Sequence, residues 1–231
     1  MPILTLRGTR RGLPFAIAAA LLTSGCQFFG EEDGEIDVGS ADIDELVEYI
    51  VFESDSYRLD QPVQEGGSAR TRMEQDDLQR ACSVVGGELP DGQVQEVIQI
   101  ARDSYEAPSG GPRLGDWERG SELARSGYGF RIGHRNDDHS TRTPGGNCYA
   151  CHQMDPNEPV YGTIGPSLAG YGEGRGTGEA SVRYTHEVIS NPHQYFPCTE
   201  MPRFGTNELL SEREISHIMA YLLDPDSPVN Q

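Results

Sequence analysis

The sequence predicts an all-α domain behind an N-terminal extension, and three observations carry that expectation. Residues 211–223 read as a helix with both a start signal and an apolar stripe. Beyond residue 114 no stretch alternates apolar and polar residues as a half-buried strand would. The helical segments are separated by long connections rich in Gly and Pro. Hydrophobic residues make up only 35% of the 231 positions, against 28 Gly. A core that small gains from a large apolar group buried at its centre.

The chain divides into four parts. Residues 1–25 read as a signal peptide: Arg7, Arg10 and Arg11 precede a short apolar run from Leu13 to Leu22, and Thr23, Ser24 and Gly25 lead to Cys26. The run is too short to span a bilayer, which takes about 20 residues. The stretch Leu22-Thr23-Ser24-Gly25-Cys26 resembles a bacterial lipoprotein cleavage box, with Thr23 where Leu is usual. Lipidation of Cys26 is the expectation, and ordinary signal-peptidase cleavage is the alternative. Residues 26–70 are acidic and poor in apolar side chains, and are expected to form a low-order tether. Within them the run Leu46–Phe52 fits a strand or a helical turn equally well. Residues 71–113 are expected to form a helical extension, with one or two helices between Leu78 and Tyr105 interrupted by Gly86, Gly87 and Pro90.

The signals sharpen over 114–231. Asp116 is a good N-cap for a helix from Trp117 to about Ser126, stopped by Gly127. A second helix from about Glu179 to Ser190 places Val182, Thr185 and Ile189 on one face and ends at Asn191-Pro192. The residues between, 156–178, read as a long Gly- and Pro-rich connection. In the last helix Ser211 and Glu214 stand three apart as a capping box. Ile215, Ile218, Met219 and Leu222 then form one stripe, and Asp224-Pro225 ends the helix.

The charge excludes one class of partner. All 18 basic residues are Arg, and the net charge is −19, so the chain would repel a phosphate backbone and no nucleic acid is expected to bind.

Cys148-Tyr149-Ala150-Cys151-His152 is the motif that carries chemistry. Two thiols three residues apart on one turn can reach the two vinyl groups of a single porphyrin. His152, next in the chain, then supplies an axial imidazole to the iron. A zinc site would need a second ligand pair at related spacing, whereas Cys82 and Cys198 are isolated singles. A thioredoxin-like CxxC wants a preceding strand, whereas Gly145-Gly146-Asn147 precedes this one. One covalent haem c is therefore expected, and with it a class I cytochrome c-like domain over 114–231. Of the five cysteines, Cys82 and Cys198 remain after haem and lipid are assigned. In an oxidising compartment such a pair most simply forms a disulfide, with two free buried thiols as the alternative.

Met201 is the leading candidate for the second axial ligand. Met154 follows His152 too closely to reach the other face of a porphyrin, and Met219 sits in the apolar stripe of the last helix. Met201 lies on a loop before Pro202, which restricts it to extended geometry. His193, on the same loop, is the alternative. His134, His139, His186 and His217 are read as surface or loop residues. A carbonyl at Gly165-Pro166 is expected to accept the other ring N–H of His152. Trp117, Tyr171, Phe196, Phe204 and Tyr221 are candidate walls for the haem.

Several segments in order resemble the SoxX family, the monohaem cytochrome subunit of the bacterial thiosulfate-oxidising SoxAX complex. They are GDWERGSELARSGYG (115–129), GGNCYACHQM (145–154), YGTIGPSLAGYG (161–172), MPRFG (201–205) and LLDPDSPVN (222–230). CxxCH is common to all c-type cytochromes, and the pairing of MPRFG with LLDPDSPVN is far more specific. The resemblance covers 114 to the C-terminus and, more loosely, the Cys82 segment. It implies haem anchors at Cys148 and Cys151 with His152 and Met201 as axial ligands. It also implies a periplasmic heterodimer with a SoxA-like cytochrome that holds the catalytic haem and couples thiosulfate to a cysteine of the carrier protein SoxYZ. The present chain would be the non-catalytic electron-transfer subunit of that L-cysteine S-thiosulfotransferase, passing electrons to a small soluble cytochrome c. The alternatives are a free-standing periplasmic electron carrier and a haem-based sensor, which would need a labile Met201.

Overall fold

The computed structural model describes residues 36–37, 39–63, 67–83, 89–90, 92–129 and 141–231 of the chain. The signal segment, Cys26, Gly86, Gly87, His134 and His139 lie outside the described residues. The chain forms two units, 1–49 and 50–231. In the first, the Asp42 carboxylate accepts the Glu45 N–H at 2.8 Å and starts helix α1 (Ile43–Val47), whose acidic first turn suits the positive end of the helix dipole. A π-helical turn, Glu48–Glu53, follows. The run 46–52, open at the sequence level between strand and helix, is helical.

Residues 50–70 are not all tether, which corrects the low-order expectation for 26–70. Leu59 and Val63 are buried, Val63 N–H donates to the Gly67 carbonyl, and buried Ala69 opens helix α2 (Ala69–Met73). The Arg70 guanidinium lies over the Phe52 ring at 5.4 Å. The acidic average of the segment hid a few apolar side chains and one cation–π partner. Helix α3 (Asp77–Cys82) starts from a capping box in which Asp76 and Gln79 exchange hydrogen bonds, and helix α4 (Gln93–Asp103) follows. Leu78, Val97 and Ala101 make a small core between α3 and α4, with Cys82 and Cys198 packed against it.

The main core lies between α5 (Trp117–Arg125) and α8 (Glu212–Leu223). Asp116 caps α5 by accepting the Arg119 N–H at 3.1 Å, and Ser211 with Glu214 caps α8 reciprocally. Gly120 makes their crossing possible, since a Cβ there would lie 2.0 Å from the His217 carbonyl oxygen. The two backbones therefore touch where any side chain would hold them apart. Burial on α8 is wider than one stripe and includes Ala220, Tyr221 and Leu223, because α5, α6 (Tyr171–Arg175) and α7 (Glu179–Ser190) all pack against it.

Helix α6 (Tyr171–Arg175) interrupts what reads in sequence as an unbroken loop. Buried Asn230 explains it: its side-chain oxygen accepts the Gly172 N–H at 2.7 Å, while its amide donates to the Leu222 and Asp224 carbonyls. The C-terminal tail thus staples the start of α6 to the end of α8. Helix α7 (Glu179–Ser190) buries Val182, Thr185 and Ile189. It also buries His186, 1% exposed, contrary to the surface expectation. That ring has partners at both nitrogens, Glu212 Oε2 at 2.7 Å and the Tyr105 hydroxyl at 3.0 Å, which is what a buried polar group requires. Among the described residues the only β-pairing is an isolated bridge between Pro62 and Ser68, so the fold is all-α.

Candidate haem site

Asn147 adopts φ +49°, in the left-handed region that Asn tolerates, and turns the chain into a single 3-10 turn, Cys148–Ala150. Cys151 N–H and His152 N–H both donate to the Cys148 carbonyl, at 3.1 and 2.9 Å. The two thiols and the imidazole are thereby fixed on one tight turn. Cys148 packs against the main core, and the two sulfurs are not bonded to each other. Burial pushes the Cys148 thiol up to about 12, the opposite of the depressed value that a redox-active CxxC thiol needs. Among the described residues no group of three or more His, Cys, Asp or Glu is placed to hold a bare metal ion.

The loop 161–168 runs against this turn. Gly162 N–H donates to the Tyr149 carbonyl at 2.7 Å, and Gly165 N–H to the Cys151 carbonyl at 2.9 Å. A Cβ at Gly165 would lie 2.2 Å from Cε1 of His152, so the imidazole rests on bare backbone. Its Nδ1 is 2.8 Å from the Pro166 carbonyl oxygen. A carbonyl only accepts, so Nδ1 carries the proton and Nε2 keeps its lone pair, the form in which an imidazole binds iron. The residues present fit a covalent haem.

Tyr149, inside the motif, is a structural residue that sequence reasoning missed. Its buried hydroxyl lies 2.7 Å from that of Tyr221 and accepts the Asp155 N–H at 3.1 Å, and burial pushes its phenol up. The Arg125 guanidinium stacks over its ring at 4.6 Å and pairs with Glu158. The end of α5 is thus tied to the haem-binding turn and to the loop after it. The motif leaves position 149 open to any residue, so only the long-range contact to Tyr221 reveals its role.

Met201 is half-buried and, like Cys148, packs against the main core. Met154 and Met219 are wholly enclosed in that core. His193 is buried in a 3-10 turn (Pro192–Gln194), where its Nδ1 accepts the Cys198 N–H at 3.0 Å. In the neutral ring Nε2 then carries the proton, so neither nitrogen offers a lone pair. Burial, with the Arg203 charge nearby, holds His193 below the usual histidine range and keeps it neutral. Cys82 and Cys198 are bonded, with sulfurs 2.10 Å apart, across 116 residues of chain. Of the candidate walls, Phe204 and Tyr221 are buried, Trp117 and Tyr171 pack on the core, and Phe196 is 50% exposed.

The cytochrome c family model matches residues 142–224, which include the CYACH turn, Pro166, Met201 and α8. A protein of Aquifex aeolicus (strain VF5) named "Uncharacterized lipoprotein" is 39% identical over 164 residues, covering 68% of this chain and 73% of that protein. Among the described residues no helix is long and apolar enough to cross a membrane.

Proposed function

We propose that this chain, which belongs to the c-type cytochromes, is the electron-transfer subunit of a SoxAX-like thiosulfate-oxidising complex and carries one haem. The observation that carries the reading is the CYACH turn with the His152 ring set by the Pro166 carbonyl. The haem, when bound, supplies a one-electron ferric/ferrous couple. In this reading Cys148 and Cys151 would anchor it, and Nε2 of His152 and the thioether of Met201 would hold its iron. Thioether ligation favours the reduced state and raises the potential relative to a bis-histidine centre. With the iron held by two protein side chains, the chain would move electrons without rearranging bonds.

The SoxAX assignment is supported by the MPRFG and LLDPDSPVN segments. Within them Arg203, two residues after Met201, pairs with Asp76, and Asn230 makes the staple to α6. The partners would be a SoxA-like cytochrome, the SoxYZ carrier and a small soluble cytochrome c as acceptor. The lipoprotein name of the Aquifex relative and the box ending at Cys26 support export to the periplasm with a lipid anchor. Those same two observations also favour a second reading, a lipid-tethered carrier that works without a SoxA partner. Purification of the matured chain from its own cells separates them. A stable heterodimer with a second cytochrome supports the SoxAX reading, and a lone chain at all concentrations refutes it.

A further inference from the structure

The loop that bears Met201 is held on both sides by one short helix. Three residues before Met201, Cys198 is bonded to Cys82 at the C-terminal end of α3. Two residues after it, the Arg203 guanidinium donates to Oδ2 of Asp76, the N-cap of α3, at 2.6 Å. Arg203 is only 8% exposed, so its charge is removed from water and needs this carboxylate. The two tie points on α3 are six residues apart, about 9 Å of helix. Between them on the loop sits one thioether, that of Met201.

We propose that α3 of the N-terminal extension is a brace whose task is to hold the Met201 loop closed, so that Asp76 and Cys82 act as positioning residues for the second axial ligand. The proposal rests on the reading of Met201 as that ligand. A rigid α3 is supplied by its own capping box and by the small α3–α4 core, both independent of the haem-binding turn. The ties act on the population of loop conformations. A ligand that competes with Met201 reaches the iron only in the open fraction, so its apparent dissociation constant equals the intrinsic value divided by that fraction. Weakening either tie raises the open fraction and tightens the competitor's binding.

The test uses the full holoprotein in its ferric form, with imidazole as competitor. It is read by loss of the near-infrared sulfur-to-iron absorption band. Asp76→Asn removes the charge while an Asn still caps α3; Asp77→Asn, whose partner is the neighbouring Arg80, is the control. We expect Asp76→Asn to keep the band without competitor and to bind imidazole about tenfold more tightly, the factor that about 1.4 kcal/mol of lost loop closure produces. Asp77→Asn should match the wild type. The double variant Cys82→Ala/Cys198→Ala should bind imidazole more tightly still, and if it fails to mature, Asp76→Asn decides alone. Imidazole affinity within twofold of wild type in Asp76→Asn, with the band present, overturns the brace and leaves the ligand reading standing. A wild-type protein that lacks the band removes the ligand reading and the brace with it.

Discussion

Gly120→Ala tests whether the α5–α8 crossing is a backbone contact that organises the domain. The added methyl group would sit 2.0 Å from the His217 carbonyl oxygen, 2.6 Å from its carbon and 2.8 Å from Tyr221 Cβ. Two of these three atoms are backbone of α8, so no rotamer change relieves the clash. The helices must part by more than 1 Å, since carbon–oxygen contacts below about 3 Å are not tolerated. Overpacking of this kind costs about 2–3 kcal/mol, and the helix propensity gained from Ala recovers less than about 1 kcal/mol of it. For a domain of this size each kcal/mol lowers Tm by about 2–4 °C, so a net cost of about 1–3 kcal/mol should make the variant melt about 2–12 °C below wild type by far-ultraviolet circular dichroism. Gly174→Ala is the matched control, because nothing lies within 4 Å of a Cβ there and it too is helical. It should be neutral or slightly stabilising. A Gly120→Ala protein melting within 1 °C of wild type would refute the close crossing.

Met201→Ala should abolish the near-infrared sulfur-to-iron band and lower the midpoint potential; an unchanged spectrum would give the ligand role to another residue. Thiol labelling of the denatured, unreduced chain should modify neither Cys82 nor Cys198, and labelling of both would contradict the bond between them. Reduction of that bond should cost about 2–5 kcal/mol of stability, because it closes a loop of more than a hundred residues. Asp76 yields a pH prediction. Burial alone would raise its pKa, but the Gln79 N–H and the Arg203 guanidinium outweigh burial and hold the carboxyl below its ordinary 3.8. A depressed carboxyl contributes stability that is complete above the ordinary value and disappears as pH falls through the depressed one. The Tm gap between wild type and Asp76→Asn should therefore be constant near neutrality and narrow as the solution is acidified below the ordinary carboxyl range; a gap that widens on acidification would contradict this.

Local signals were legible in the sequence wherever they were compact. The Asp116 cap, the Ser211–Glu214 box and the stripe on α8 are each written in a few adjacent residues, and each forms in the structure. The haem-binding turn is equally local, because its spacing is set by the geometry of one porphyrin. What escaped was non-local. Asp76 and Arg203 stand 127 residues apart and nothing near either one announces the pair. His186 reads as a surface residue because its partners, Tyr105 and Glu212, stand 81 and 26 residues away in the chain. The folded part of 50–70 was lost in an acidic average, although Leu59 and Val63 find partners there. Short α6 was invisible because its definition comes from Asn230, almost sixty residues on, and not from its own Gly-rich sequence.

Denaturing mass spectrometry of the chain, matured in a host that makes c-type cytochromes, tests the central claim most directly. The account predicts a polypeptide heavier by the mass of one haem, with both thioethers on the peptide that contains Cys148 and Cys151. A chain of unmodified mass, or one whose haem dissociates on denaturation, would contradict it.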